Sequence, residues 1–327
     1  MKALIVGLGS IGTRHARNLR GLGVEVAGCD PDTARRKSFA DALPGATTHA
    51  ALDAALDAGA DFAVVASPSA LHAEQAVACL ARGLDLFVEK PLATDAASAA
   101  ALEAAAGGRV CIVGSNWKFH PSVVALHDAV RERIGKALAV QAIGGQYLPD
   151  RHPWEDYRTG YAARHKLGGG ALLDSHEIDY LSWLFGPVVS VSCRLVTTGT
   201  IEIETEDLAV MTLGFASGVL GTLQMDYLQR PVARRVHVTG TKGTAVWDVL
   251  EQRTTVYDAE RGTWTVHALP FNYDLNQMYV REMTHFIDAV KARTATITPL
   301  AQGRHTLRVI DAARASAREG GRPVAIT

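Results

Sequence analysis

The chain has little of what would tie it to a disulfide scaffold, a membrane or a polyanion. Its four cysteines, Cys29, Cys79, Cys111 and Cys193, are scattered and form no CxxC pair. That excludes a disulfide framework and a zinc ribbon and fits a reducing cytoplasm. No window nears the roughly 18 apolar residues a membrane span needs, and the opening "MKALIVGLGS" turns to glycine too soon for a signal peptide. The expectation is a soluble, unprocessed, cytoplasmic protein with no membrane partner. Lys+Arg 33 against Asp+Glu 34 leaves no overall field, so nucleic acid is not an expected partner either.

What is present is order of another kind. A chain of 327 residues exceeds the roughly 100–200 residues of one domain, so two are expected. From residue 1 to about 115, short apolar runs alternate with Ala/Leu-rich amphipathic segments: "ALIV", "VEVAGC", "FAVVA", "LFV" and "VCIVG". Continuous rather than alternating apolar runs mean strands covered on both faces, which predicts a doubly wound parallel sheet of the Rossmann type. Beyond residue 185, runs such as "VVSVSCRLVTT", "DLAVMTLGFA", "GVLGTLQMDYLQ", "RRVHVTG" and "TAVWDV" follow one another with short turns, which predicts an antiparallel sheet. Two helices, around 275–292 and 301–318, close the chain. The domains are placed at 1–116 and 117–327.

Directly after the first strand stands "GLGSIG". Gly7 makes a tight turn, Gly9 lets backbone approach a pyrophosphate and Gly12 lets helix and strand pack closely, with Ser10 and Ile11 opening the helix whose N-terminus faces the phosphates. The second strand ends at Asp30, an acid placed to accept hydrogen bonds from the ribose hydroxyls of an adenosine. Asp30 repels a 2′-phosphate, so NAD is the expected cofactor; nearby Arg35 and Arg36 leave NADP as the alternative. In an open parallel sheet the carboxyl ends of the strands border the ligand. Ser67, Pro68 and His72 of "SPSALH" and Glu89 and Lys90 of "EKP" end two such strands and are expected to face the cofactor. The isomer of the Lys90–Pro91 bond is open, cis occurring at about 5–6% of X–Pro bonds.

These pieces, with "NWKFHP" at 116–121 and "GGGALLDSHEIDYLSWLFG" at 168–186, resemble the glucose–fructose oxidoreductase / inositol dehydrogenase family, Gfo/Idh/MocA. The resemblance implies a Rossmann domain followed by an α/β domain built on a large, mostly antiparallel sheet, whose open face often makes the oligomer contact; a homodimer or homotetramer is expected. It also implies an NAD(P)-dependent oxidoreductase acting on a ring hydroxyl or ketone of a carbohydrate-like substrate: a sugar, a sugar acid or nucleotide sugar, or a cyclitol. Lys90 would contact the reacting hydroxyl and His176 would exchange its proton. The chemistry is reasonable, since alcohol oxidation needs a base near working pH and a cation for developing alkoxide charge. Relatives also include a non-catalytic sensor and redox-assisted glycoside-cleaving enzymes, which stand as alternatives.

Lys118, in "KFHP", and the segment "RHPWEDYRTGYAARHKLGGG" would wall the substrate pocket. The latter sets Trp154, Tyr157 and Tyr161 among Arg158, Arg164 and Lys166, suited to stacking on a sugar and pairing with an anion. Many relatives place an Asp four residues before the histidine. Here Asp174 is two before it, a spacing that within one helix would turn the side chains about 200° apart; Asp174 is carried as a substrate contact. His176 and Asp179 share a helix face, but without an HExxH pattern or a second histidine no metal site is expected.

Overall fold

Neighbouring side chains of a strand point to opposite faces of its sheet, yet Phe62, Ala63, Val64 and Val65 are all fully buried. Both faces of their sheet are therefore covered, as the continuous apolar runs require. The computed structural model describes residues 1–165 and 169–326; Lys166 of the expected pocket wall and Gly168 of the glycine run lie outside the described residues. The sheet has six strands, β1 (Lys2–Val6), β2 (Glu25–Cys29), β3 (Thr47–His49), β4 (Phe62–Val65), β5 (Asp85–Val88) and β6 (Cys111–Val113). All pairs are parallel, in the order β3-β2-β1-β4-β5-β6, the doubly wound order with its switch point between β1 and β4. Helices α1 (Ser10–Gly21), α2 (Thr33–Ala42), α3 (Leu52–Asp57), α4 (His72–Ala81) and α5 (Ala96–Ala105) make the crossovers.

The chain forms two compact bodies, Met1–Asn116 with Asn276–Leu307, and Trp117–Leu275 with the segment from Arg308 onward. The continuous division expected from the sequence, 1–116 and 117–327, shares the break at residue 116 and differs in where it puts 276–307. Helix α9 (Asn276–Ala292) returns to the first body because it carries an apolar stripe, Met283, Phe286, Ile287 and Val290, that is buried there. Phe286 meets Phe62 edge-on at 5.3 Å and Phe87 at 5.9 Å between ring centres. At its start Asn276 exchanges amide hydrogen bonds of 2.8 and 3.3 Å with Asn18 of α1. Helix α10 (Leu300–Arg318) follows; its Gly303 lies so close to Val113 that a Cβ would come within 2.8 Å of that side chain.

The second body holds α6 (Pro121–Glu132), α7 (Leu148–Arg151), α8 (His176–Phe185) and a sheet of nine strands: β7 (Ala137–Gly145), β8 (Val188–Val196), β9 (Leu208–Phe215), β10 (Leu220–Asp226), β11 (Ala233–Gly240), β12 (Gly243–Asp248), β13 (Arg253–Asp258), β14 (Thr263–Ala268) and β15 (Val324–Ala325). Their order is β14-β13-β12-β11-β7-β10-β9-β8-β15, and β7–β10 is its one parallel pair. One face buries Val140, Ala142, Leu213, Leu223, Val236, Val238 and Trp247 and packs on α6 and α8. On the other, the register lines up Ser192, Thr212, Thr222, Gln141, His237, Val246, Thr255 and Val266 in one row, all at least partly exposed. Among the described residues no helix is long and apolar enough to cross a membrane.

Candidate active site

In the first body the chain leaves β1 at Gly7 with φ +93°, and a Cβ there would lie 2.6 Å from the Ser67 nitrogen. A Cβ on Gly12 would run into the Gly7 carbonyl, whereas one on Gly9 would meet nothing within 4 Å. The loop is thus pressed against β1 and β4 and open above Gly9. Helix α1 starts at Ser10 with Gly9 as its N-cap and no side-chain acceptor, so the first N–H groups, those of Ser10, Ile11 and Gly12, form a natural anion site. This cradle fits a dinucleotide's pyrophosphate.

Asp30, 3% exposed, has structural work as well. Its Oδ2 accepts from Leu8 N and its Oδ1 from Asp32 N, both at 2.9 Å, so the acid at the end of β2 holds the glycine loop in place. The two arginines separate. Arg36 donates to the Asp30 and Pro31 carbonyls and to Thr33 Oγ1, while exposed Arg35 stands 3.7 Å from Asp30 Oδ2.

The tips of β4 and β5 lie side by side. Ser67 Oγ donates to Gln75 Oε1 at 2.6 Å, and Pro68 is exposed. His72 is 1% exposed, with Nδ1 2.8 Å from Pro91 O and Nε2 2.8 Å from Ser67 O. Its ring bridges the two loops, because the backbone carbonyls lie within its reach. Burial holds its pKa below the usual histidine value. Lys90 and Glu89 are half-buried, the Lys90–Pro91 peptide is cis, and Glu89 Oε2 accepts from Lys90 N at 3.1 Å.

In the second body Gly170, at φ +114°, turns the chain against the Glu206 carboxylate, which accepts from Leu172 N at 3.1 Å; Tyr227 Oη donates to Gly170 O at 2.8 Å. A 3₁₀ turn, Ala171–Leu173, delivers Asp174, Ser175 stands at the N-cap position without a side-chain hydrogen bond to the helix, and α8 opens at His176. Asp174 and His176 are therefore not in one helix, and the 200° separation does not apply: Asp174 Oδ1 lies 3.9 Å from His176 Nε2. Its Oδ2 faces Arg151 at 3.8 Å and Arg234 at 3.7 Å. Arg234, on β11, also pairs with Glu177 and lies over the Trp117 ring at 4.9 Å. Nothing in the sequence around Arg234 marks it, since it comes from a strand some 60 residues on.

Two of the residues expected at the substrate wall have partners within the second body. Lys118 is 1% exposed, its ammonium 2.9 Å from Asp179 Oδ1, because an inward lysine needs a carboxylate partner. Tyr157 packs on the cluster of Leu148, Ala162, Ala171, Ile201 and Tyr227, and its hydroxyl accepts from Glu202 N at 3.2 Å. Tyr161 is 43% exposed and Trp154 77%.

Two family models match the chain. One, described as "Oxidoreductase family, NAD-binding Rossmann fold", matches residues 1–116, and the other, "GFO/IDH/MocA C-terminal domain", matches residues 123–246. The chain is 26% identical to the myo-inositol 2-dehydrogenase of Thermotoga maritima over 98% of this chain and 97% of that protein. It is 34% identical to an inositol 2-dehydrogenase of Cereibacter sphaeroides over 55% of this chain and 52% of that protein. Over several curated relatives the match spans about half to two thirds of the relative's length. Among solved structures, GenD2 from gentamicin A biosynthesis in complex with NAD superposes with a TM-score of 0.86 at 26% identity, over 100% of this chain and 96% of that chain.

Proposed function

The chain belongs to the Gfo/Idh/MocA family of oxidoreductases, and from that premise we propose that it is an NAD-dependent dehydrogenase acting on a ring hydroxyl of a sugar, sugar derivative or cyclitol. The observation that carries the reading is the convergence at the carboxyl ends of β1, β4 and β5: the glycine loop abuts Ser67, and His72 ties Ser67 to the turn that bears Lys90. A bound nicotinamide would accept or give the hydride. The chain's own part is protonic and electrostatic. The Lys90 ammonium donates to the substrate oxygen and offsets its growing charge, the His176 imidazole takes the proton, and Asp174 stabilises the imidazolium. Oxidation of a panel of sugars, cyclitols and sugar acids, followed by nicotinamide absorbance, tests the reading; turnover of none would overturn it. The setting we assign is a reducing cytoplasm. The four cysteines are free, and burial pushes Cys79, Cys111 and Cys193 up to about 12, well away from disulfide chemistry.

NAD(H) is expected to bind more tightly than NADP(H), because a 2′-phosphate would meet the Asp30 carboxylate. Asp30→Ala should weaken NAD(H), since Leu8 and Asp32 also lose their acceptor, and should narrow the gap by leaving Arg35 uncompensated. Titration by tryptophan fluorescence measures both; tighter NADP(H) binding by the unaltered protein would mean that Arg35 governs the site.

A homodimer or homotetramer seated on the open face of the nine-stranded sheet is the assembly we propose. In support, that face spans the sheet from β8 to β14 and exposes Leu138, Val210, Leu220 and Val266 among its residues, an apolar content that isolated surfaces rarely leave uncovered. Light scattering at micromolar concentration should return a multiple of 34.9 kDa; a monomer refutes the proposal.

A further inference from the structure

Glu89 is the residue of the β5 tip whose surroundings are most completely built. Its Oε1 stands 2.6 Å from Nε2 of His15, a residue of α1 that is 0% exposed and lies 4.9 Å from the Phe87 ring and 6.0 Å from the Tyr279 ring, centre to centre. Its Oε2 accepts the Lys90 N–H at 3.1 Å. Behind it Gly114 leaves the room it needs, since a Cβ there would sit 3.1 Å from the carboxylate carbon and Oε2. The other ring nitrogen of His15, Nδ1, is buried with no hydrogen-bond partner among the described residues. An Nδ1–H in that position would be a buried donor left unsatisfied, so the geometry selects the neutral Nε2–H tautomer donating to an ionised carboxylate.

We propose that His15 is a positioning residue for the dehydrogenase chemistry: it fixes the ionised Glu89 carboxylate, and Glu89 in turn fixes the backbone and the charge environment of Lys90. The inference rests on Lys90 acting on the substrate as proposed above. Burial alone would raise the Glu89 carboxyl, but the hydrogen bond from His15, with the charge of Lys90, holds it below the usual carboxylate range. The groups that face this carboxylate are His15 of α1, Lys90 of its own turn, His72 of α4 and Tyr279 of α9, with Arg14 and Glu282 acting on Tyr279. His72 is engaged with two carbonyls, which leaves the His15–Glu89 pair as the adjustable element.

The test compares His15→Leu, His15→Gln and Gly114→Ala with the unaltered protein and Lys90→Met. His15→Leu removes the donor and exposes Glu89 to the full effect of burial. It should lower kcat by about 10- to 100-fold, the range that small misplacement costs, leave the NAD Kd within a few-fold and shift the acidic limb of the kcat–pH profile upward. His15→Gln restores an N–H near the same point and should recover most of kcat and the original limb. Gly114→Ala displaces the carboxylate from the opposite side and should reproduce the kcat loss with His15 intact, which keeps the test open if His15→Leu folds poorly. A kcat and pH profile unchanged in His15→Leu and Gly114→Ala, while Lys90→Met lowers turnover, overturns the positioning role alone. Undiminished turnover by Lys90→Met overturns the Lys90 role on which the positioning rests, and turnover of no substrate by the unaltered protein overturns the dehydrogenase reading beneath it.

Discussion

Replacing Lys90 with methionine is expected to lower turnover by about 10²–10³-fold, the range seen when one stabilising donor is removed from a developing oxyanion, while NAD affinity and Tm stay nearly unchanged. Methionine keeps the length of the stem and deletes the charge. The argument comes from where the lysine stands. It follows a strand whose residues Leu86, Phe87 and Val88 are fully buried, so the tip is rigidly placed, yet its own side chain is half-buried at the end of the sheet that carries the glycine loop. A lysine retained for stability would show in Tm; one used on a substrate oxygen shows in kcat. Steady-state kinetics on a confirmed substrate, with a thermal melt alongside, separate the two. Loss of folding in Lys90→Met, or unchanged turnover, would remove the assignment.

His176→Ala is the second large effect, a fall of about 10²–10⁴-fold, the usual contribution of a general acid–base group. The loss should be partly relieved as pH rises, because hydroxide can then take the proton that the imidazole no longer accepts. Asp174→Asn should show a smaller loss of the same kind, since the carboxylate 3.9 Å from Nε2 favours the imidazolium and an amide does not. A pH-independent loss in His176→Ala would assign the histidine to packing in α8.

How far the site was legible follows from the range of the interactions that build it. The glycine loop, Asp30 and the β5 tip are local patterns in which each residue type is demanded by its own backbone position, and all could be read in sequence. The partners of those residues could not. Nothing near Glu89 points to His15, 74 residues away, and nothing near Asp174 points to Arg234. His72 was read as a polar group at a strand tip facing the cofactor; its contacts with two carbonyls at 2.8 Å come from loops that no local pattern joins. Asp174 was judged by helical geometry, but Gly170 and the turn after it place the aspartate before α8 begins.

The fold divides the same way. Five of the six parallel strands announce themselves because burial on both faces makes them uniformly apolar; β3, three polar residues at an edge, does not. In the second sheet the strand at the middle was among those not named. In β7, "ALAVQAIGG", the buried positions carry Val140, Ala142 and glycines, too small to raise an alternating signal above the background of an alanine-rich chain. The return of α9 to the first body was invisible because an apolar stripe states that a helix is covered and not by which sheet.

That return has a consequence for how the protein is made. The β-sheet of the first body is synthesised by residue 116, but the helix that covers Phe62 and Phe87 begins at Asn276. At roughly 5–20 residues per second, a ribosome needs on the order of 10–30 s to deliver the intervening stretch. During that interval Phe62 and Phe87 lack the helix whose Phe286 covers them in the finished fold.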